Sequence, residues 1–508
     1  MAPTTQYAVH KPKELRRFYE PLGILYELTL RDQTKPRSIF SASARGISIM
    51  QRRRDFVDSV AFIGAYSKEC EIALALERQP DLLIVRVAGT GETEKIVVPF
   101  LNGLLRALSH IVKPNDIRGE LKDRIVLELS DMALDYAKEK TFAHYLKILH
   151  DIAPICLADI TTGLNEADRD CLRFKAWFQN KFYNNGAPLT REHMRVLARE
   201  CFDARQSEQL ELLRKFAFQG NEHVTHFEKF YKELTNLSRT IEMMFKLFES
   251  AVSLHQDLAN DLVVESLPTS KGLPVPLLSR KLSMDGIANR MFSDSSKKDE
   301  FLQKLQQTAP PGLTKTLAHY SQTVVTEVHP ELILINYFDG LSDGGFLDEN
   351  DKYIGCTKPS CYLCHLFISY HPARYSRISA SSKICLNWRL PDIGRDECKS
   401  MARAENQKSI LRQLTNTIRT ELEEKVNKEW RRQFHCSASE TEWTLPVDDD
   451  TFTYGSPPSS PKLTPTSPTA PIKQATQESD TNYKAPDADR ASDEDAEDIV
   501  IFKGRRGY

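Results

Sequence analysis

Two short stretches decide how this chain is interpreted: His329-Pro330-Glu331 and, about thirty residues further on, Pro359-Ser360-Cys361-Tyr362-Leu363-Cys364. The H-x-E half is weak alone, because 13 His and 70 acidic residues give about two such pairs by chance. The C-x-x-C half is rarer, since ten Cys predict roughly 0.2 such pairs. Together the two halves indicate a metal site.

The spacing of both stretches is suited to zinc. Proline is well tolerated in the first turn of a helix, so Pro330 predicts that His329 stands at a helix entrance. Ser360 is predicted to cap a second helix, with Cys361 and Cys364 one turn apart on one face. Two sulfurs and one imidazole would leave the fourth position of a tetrahedral zinc open for water, with Glu331 beside it.

The regions around these stretches predict an α/β layer. Helical spacing at Phe56, Val60 and Ile63 precedes two short apolar runs, and Gln79-Pro80-Asp81 between the runs indicates a β-hairpin. Apolar residues recur at helical spacing between Phe100 and about Val264. Beyond His329, short helices and strands alternate, and they are predicted at ELILINYF (helix), KYIGC (strand), CYLCHLFISYH (helix), KICLNWRL (strand) and Glu397 to about Phe434 (helix).

The composition changes at Val447, where a Pro/Ser-rich and then acidic tail begins. The tail holds 12 acidic and 7 basic residues and is predicted to be disordered. The rest of the chain, with 61 basic and 58 acidic residues, is only slightly basic. Two partner sites are predicted in the tail: proline-directed kinase sites at Ser456, Ser460, Thr464 and Ser467, and a SUMO-interacting strand at Ile499, Val500, Ile501 and Phe502.

The cellular setting is predicted to be intracellular, either cytoplasmic or nuclear. The first residues lack a secretory signal pattern, and no run approaches the roughly 20 apolar residues of a membrane span. Ten Cys in 508 residues are too few for a disulfide scaffold. A net charge of -2 gives no overall attraction to nucleic acid, so any such contact would be local.

The segments YIGCTKPSCYLC and NWRLP, with the H-x-E and C-x-x-C stretches, resemble the nucleic-acid and nucleotide deaminase superfamily, and within it a poorly characterised fungal deaminase-like branch. The resemblance implies a cytidine deaminase-like α-β-α sandwich interrupted by a large, mainly helical insertion. The predicted divisions are 1–51 (N-terminal extension), 52–96 (first helix and hairpin of the core), 97–315 (helical insertion), 316–435 (zinc-binding part of the core) and 447–508 (disordered tail).

The resemblance also implies a mechanism. Zinc held by His329, Cys361 and Cys364 would activate water for attack on the amino-bearing carbon of cytosine or adenine, and Glu331 would move the proton. Two alternatives stay open. One is a structural zinc module built from Cys356, Cys361, Cys364 and one His, and the other is a catalytically inert interaction scaffold.

Overall fold

Over the residues that the structure describes, the protein is a mostly helical α/β structure, with a four-stranded mixed sheet and two small antiparallel sheets of two strands each. The computed structural model describes residues 10–30, 38–40, 48–112, 119–163, 169–182, 190–218, 224–259, 261–277, 282–341, 345–376, 379–393 and 400–435. Its helices are α1 Pro12–Leu30, α2 Ile49–Gly64, α3 Val98–Val112, α4 Glu120–Tyr136, α5 Lys138–Leu146, α6 Ala153–Gly163, α7 Arg169–Phe182, α8 Arg191–Asp203, α9 Glu208–Phe218, α10 Val224–Ser253, α11 Met284–Met291, α12 Ser295–Thr308, α13 Leu313–Thr323, α14 Pro330–Gly340, α15 Tyr362–Tyr370 and α16 Ser400–His435. Its strands are β1 Ser38–Phe40, β2 Ile72–Arg78, β3 Leu82–Gly89, β4 Asp261–Ser266, β5 Leu273–Pro274, β6 Val325–Thr326, β7 Gly355–Cys356 and β8 Ala380–Ser381.

The predicted hairpin is the centre of the sheet. Strands β2 and β3 pair antiparallel from Ile72↔Gly89 to Arg78↔Leu83. Reciprocal backbone hydrogen bonds between Gln79 and Leu82 close the turn. The run of β-branched and aliphatic residues on each side of Pro80 therefore forms the hairpin that the sequence predicts.

The four strands of the mixed sheet lie in the order β4-β3-β2-β7, and the two small sheets are β1-β8 and β5-β6. Strand β4 is parallel to β3, and β7 is antiparallel to β2. The sequence did not predict β4, which ends the helical stretch before it. Its outer edge is covered by Asn102, which donates to the Val264 carbonyl and accepts from the Val264 amide. This pairing blocks one position where a further strand could add.

Helices cover both faces of this sheet. Ala73, Ala75 and Ala88 face a core that contains α1, α14, α15 and α16, whereas Leu74, Leu76 and Val85 face α2, α3 and α10. The alternation follows from the two-residue side-chain period of a strand. A third core holds together the helices from α4 to α10.

Three polar groups fix α14 to the hairpin. Tyr337 on α14 donates to Glu77 on β2 at 2.9 Å, and the Arg86 guanidinium lies over the Tyr337 ring at 4.9 Å from its centroid. Arg86 also pairs with Glu77, which is only 4% exposed. A buried carboxylate with these partners holds α14 in a fixed position against the sheet.

Several sequence predictions differ from the structure. KICLNWRL is irregular rather than a strand, and its Trp388 amide turns back to the Cys385 carbonyl at 3.2 Å. KYIGC contributes only its last two residues to β7. Helix α1 was missed, although Phe18, Leu22 and Leu25 have helical spacing and are buried. The tail 447–508, with its predicted kinase and SUMO sites, lies outside the described residues.

One segment of the described chain, Thr93–Val112, is long and apolar enough to cross a membrane. Its buried face, however, carries Leu101, Leu104, Leu105 and Leu108, which pack into the core beneath the sheet. We therefore interpret α3 as a core helix, so no clear membrane span is present among the described residues. The compartment stays a prediction.

Asp58 on α2 is a half-buried carboxyl that should make stability depend on pH. Burial raises its pKa to about 7 from 3.8, and the hydrogen bond from Tyr353 at 2.8 Å opposes this shift only partly. Between about pH 4 and 7 the unfolded chain therefore loses a proton that the folded chain keeps, and stability falls as the pH rises. Below about pH 4 both states keep the proton.

We expect Asp58→Asn to remove this dependence. Between pH 4 and pH 8 the wild type should lose up to about 4 kcal/mol more unfolding free energy than the variant does. Urea unfolding at pH 4, 6 and 8 measures it. A constant difference across this range would show that Asp58 titrates normally in the folded protein.

Candidate metal centre

The first component of the site is the N-terminus of α14. His329 is the N-cap residue and Pro330 follows at the first helical position, as the sequence predicts. Glu331 then lies in the first turn and is 6% exposed. Proline fixes where the helix begins, so the His329 imidazole and the Glu331 carboxylate both lie at the N-terminal end of α14.

The second component is the N-terminus of α15, where the structure differs in one detail. Cys361, not Ser360, is the N-cap residue, and its sulfur accepts from the Cys364 amide at 3.5 Å. Ser360 instead bonds through its amide and hydroxyl to the Ser379 carbonyl. The cysteines still lie one turn apart, and Cys361 is 6% exposed and Cys364 is fully buried.

The two helix entrances meet at His329. Its Nδ1 lies 3.6 Å from the Cys361 sulfur and 3.4 Å from the Cys364 sulfur. Tetrahedral zinc with ordinary zinc–nitrogen and zinc–sulfur bonds separates such atoms by about 3.6 Å. The donor set and these two distances therefore fit zinc. In addition, ligand atoms of His329, Glu331 and Cys364 all lie within 4.8 Å of one another.

A comparison with known protein families adds an independent finding. Residues 328–392 match the family described as OTT_1508-like deaminase. Residues 328–392 are a deaminase-like domain. Comparisons with curated proteins and with solved structures give no match. The matched residues include both helix entrances, so the predicted resemblance to a deaminase is confirmed over this part of the chain.

Within the deaminase-like domain, the thiols of Cys361 and Cys364 are protonated unless a cation is present. Burial raises the pKa of both groups well above the ordinary value, and the nearby Glu331 carboxylate raises each further. A bound divalent cation reverses this preference because it stabilises the thiolate directly. Metal binding should therefore release protons.

Trp388 contributes to the site from the core. Its ring is fully buried, and its indole N–H donates to the Cys364 sulfur at 3.3 Å. This placement makes the residue unavailable for stacking on a base. A hydrogen bond of this kind orients a sulfur ligand and stabilises its negative charge. The sequence gave no indication of this bond.

Cys385 is a further thiol at the centre, which the sequence analysis missed. Ligand atoms of His329, Cys361 and Cys385 all lie within 4.8 Å of one another. The alternative zinc module instead used Cys356, which belongs to neither of the two potential metal-binding groups among the described residues. Cys385 lies 21 residues after Cys364, and no short ligand spacing points to it.

Proposed function

We propose that this protein is a zinc-dependent hydrolytic deaminase that acts on a cytosine or adenine base in a nucleotide or nucleic acid. The observation that carries the proposal is the meeting of His329, Cys361 and Cys364 at two helix entrances, with Glu331 alongside. The family match over residues 328–392 supports the same reaction class. In this proposal the helices between β3 and β4 cover or select the substrate.

The finer fold proposal is a cytidine deaminase-like α-β-α sandwich. Two features support it: α2 and the hairpin precede α14 in the chain, and β7 pairs with the first strand of the hairpin. Helices on both faces of the sheet also agree with such layers. The predicted insertion, residues 97–315, would then follow the hairpin directly, beginning with α3, and it also contains strand β4 of the sheet.

Each proposed role follows from the position of the residue. His329, Cys361 and Cys364 would hold the metal, which would supply a hydroxide nucleophile near neutral pH by lowering the pKa of water. Glu331 would receive one proton from water and pass it to the ring nitrogen, and it would then move the remaining hydroxyl proton to the amino group, which leaves as ammonia while the carbonyl forms. Its low exposure keeps this proton away from bulk water.

The experiment that tests the metal part is elemental analysis of purified full-length protein. We expect one zinc per chain in the wild type, loss of zinc in His329→Ala, and retention in Cys356→Ala. Circular dichroism of each variant separates metal loss from unfolding. Zinc that survives His329→Ala but is lost in Cys356→Ala would replace this proposal by the structural module.

The substrate part is tested by ammonia release from cytosine and adenine compounds: free nucleosides, nucleotides, and single-stranded RNA and DNA. Release from at least one class is expected for zinc-loaded protein. A zinc-loaded protein that releases none from any class would favour the inert interaction scaffold.

A further inference from the structure

The segment that carries Cys385 is fastened to both helix entrances of the centre. At one end, the Tyr362 amide donates to the Lys383 carbonyl at 2.9 Å, directly after the ligand Cys361. At the other end, the Glu327 amide donates to the Asn387 carbonyl at 2.6 Å, two residues before His329. Cys385 lies midway between these two anchors.

This arrangement holds the Cys385 thiol beside the proposed ligands. Its sulfur lies within 4.8 Å of ligand atoms of both His329 and Cys361. Cys361 and Cys364 are buried, whereas Cys385 and His329 are partly exposed. Cys385 is therefore the thiol at the solvent side of the centre, where a water molecule or a substrate would enter.

We propose that Cys385 is a third sulfur ligand, which occupies the fourth position of the metal in the resting protein. This inference rests on the proposed function, because it concerns the same metal. Three sulfurs and one imidazole nitrogen form a closed tetrahedral set of the kind found in structural zinc sites. When the Cys385 sulfur binds, its thiol proton passes to solvent and the water it replaces is released.

With the Cys385 sulfur bound, the metal would have no position for water, so the centre would be inactive until that sulfur leaves the metal. Hydrolysis needs water at the position that the Cys385 sulfur occupies, so a substrate must displace this side chain before reaction. Both anchors are backbone hydrogen bonds to Lys383 and Asn387, so the Cys385 side chain would leave the metal without breaking either of them. Cys385→Ala should therefore open the position and raise basal ammonia release.

The test counts sulfur ligands with cobalt. Wild type, Cys385→Ala and the control Cys356→Ala are stripped of metal under reducing conditions and titrated with Co²⁺, and the sulfur-to-cobalt charge-transfer absorption is recorded. We expect about one third of this absorption to be lost in Cys385→Ala, since two of three sulfurs remain. Cys356→Ala should match the wild type. Affinity for Co²⁺ should fall ~10-fold or more in Cys385→Ala.

The outcomes separate this inference from the proposed function. Equal charge-transfer absorption in the wild type and Cys385→Ala would overturn the third sulfur ligand and leave the three-ligand centre intact. A wild type that binds no Co²⁺ would overturn both. Complete loss of Co²⁺ binding in Cys385→Ala, with helical circular dichroism retained, would support the ligand. Higher ammonia release in Cys385→Ala would further support its blocking role.

Discussion

Replacing Glu331 with glutamine should lower ammonia release by about 10²–10⁴-fold, the range that a positioned proton carrier contributes. Glutamine has nearly the same shape, and it can still accept a hydrogen bond, but it does not transfer a proton at neutral pH. The carboxylate lies within 4.8 Å of ligand atoms of His329 and Cys364. The loss should therefore appear in kcat, with metal content unchanged.

The measurement is steady-state ammonia release with zinc content determined on the same samples. Glu327→Gln is a matched control, because Glu327 is an exposed carboxylate only four residues away. It should retain wild-type activity. If Glu331→Gln keeps full activity and full zinc content, the carboxylate is not the proton carrier and the proposed mechanism is wrong.

Removing residues 55–90 should abolish both cooperative folding and metal binding of residues 316–435. This segment holds most of α2 and the whole hairpin. Strand β2 pairs with β7, and Arg54, just before the deleted segment, forms two hydrogen bonds to Asp351 at 3.0 and 2.7 Å. Without the hairpin, the sheet face of α14 would be exposed to water.

The measurement is thermal unfolding together with zinc content for the deletion variant and for residues 316–435 expressed alone. The deletion variant is expected to bind no zinc, and residues 316–435 alone are expected to show neither zinc binding nor a cooperative transition. If residues 316–435 fold and bind zinc alone, the hairpin is not part of the same folding unit. The outcome also tests whether 52–96 and 316–435 form one core, as the sequence predicts.

A point variant tests the contact between α2 and β7 without removing either element. A Cβ at Gly355 would lie 2.7 Å from Val57 Cγ1 and 2.9 Å from the Asp58 amide, so Gly355→Ala should cost about 1–3 kcal/mol. Gly103→Ala in α3 is the control: nothing lies within 4 Å of its added Cβ, and alanine in a helix should leave stability unchanged or raise it by up to about 1 kcal/mol. Urea unfolding compares the two. A Gly355→Ala variant as stable as the wild type would mean that α2 and β7 are less tightly packed than these distances indicate.

The sequence predicted those elements whose residues satisfy a local rule. Pro80 lies between two apolar runs and correctly indicated the hairpin, and Pro330 correctly placed His329 at a helix entrance. Strand β4 has only Leu262, Val263 and Val264 as apolar members, and its pairing with β3 is not visible in so short a run.

Other features depend on contacts between distant residues. KICLNWRL has strand-like composition, but the bond from Trp388 to Cys364 and the anchor at Glu327 hold it in an irregular path. Cys385 joins the centre only because of that path. Tertiary contacts overrode local preference here, and one sequence without its fold gives no indication of them.

The bond between the Tyr19 hydroxyl and the Trp388 carbonyl, 2.7 Å long and buried, joins residues 369 positions apart. At a synthesis rate of about 5–20 residues per second, Trp388 is made roughly 20–70 s after Tyr19. Throughout that interval the apolar side of α1 has no completed core, and Cys364, made 24 residues before Trp388, lacks its indole donor only at the end of it. The buried contacts of α1 with Trp388 and α16 therefore form late in synthesis, and the apolar side of α1 is exposed to aggregation until they do.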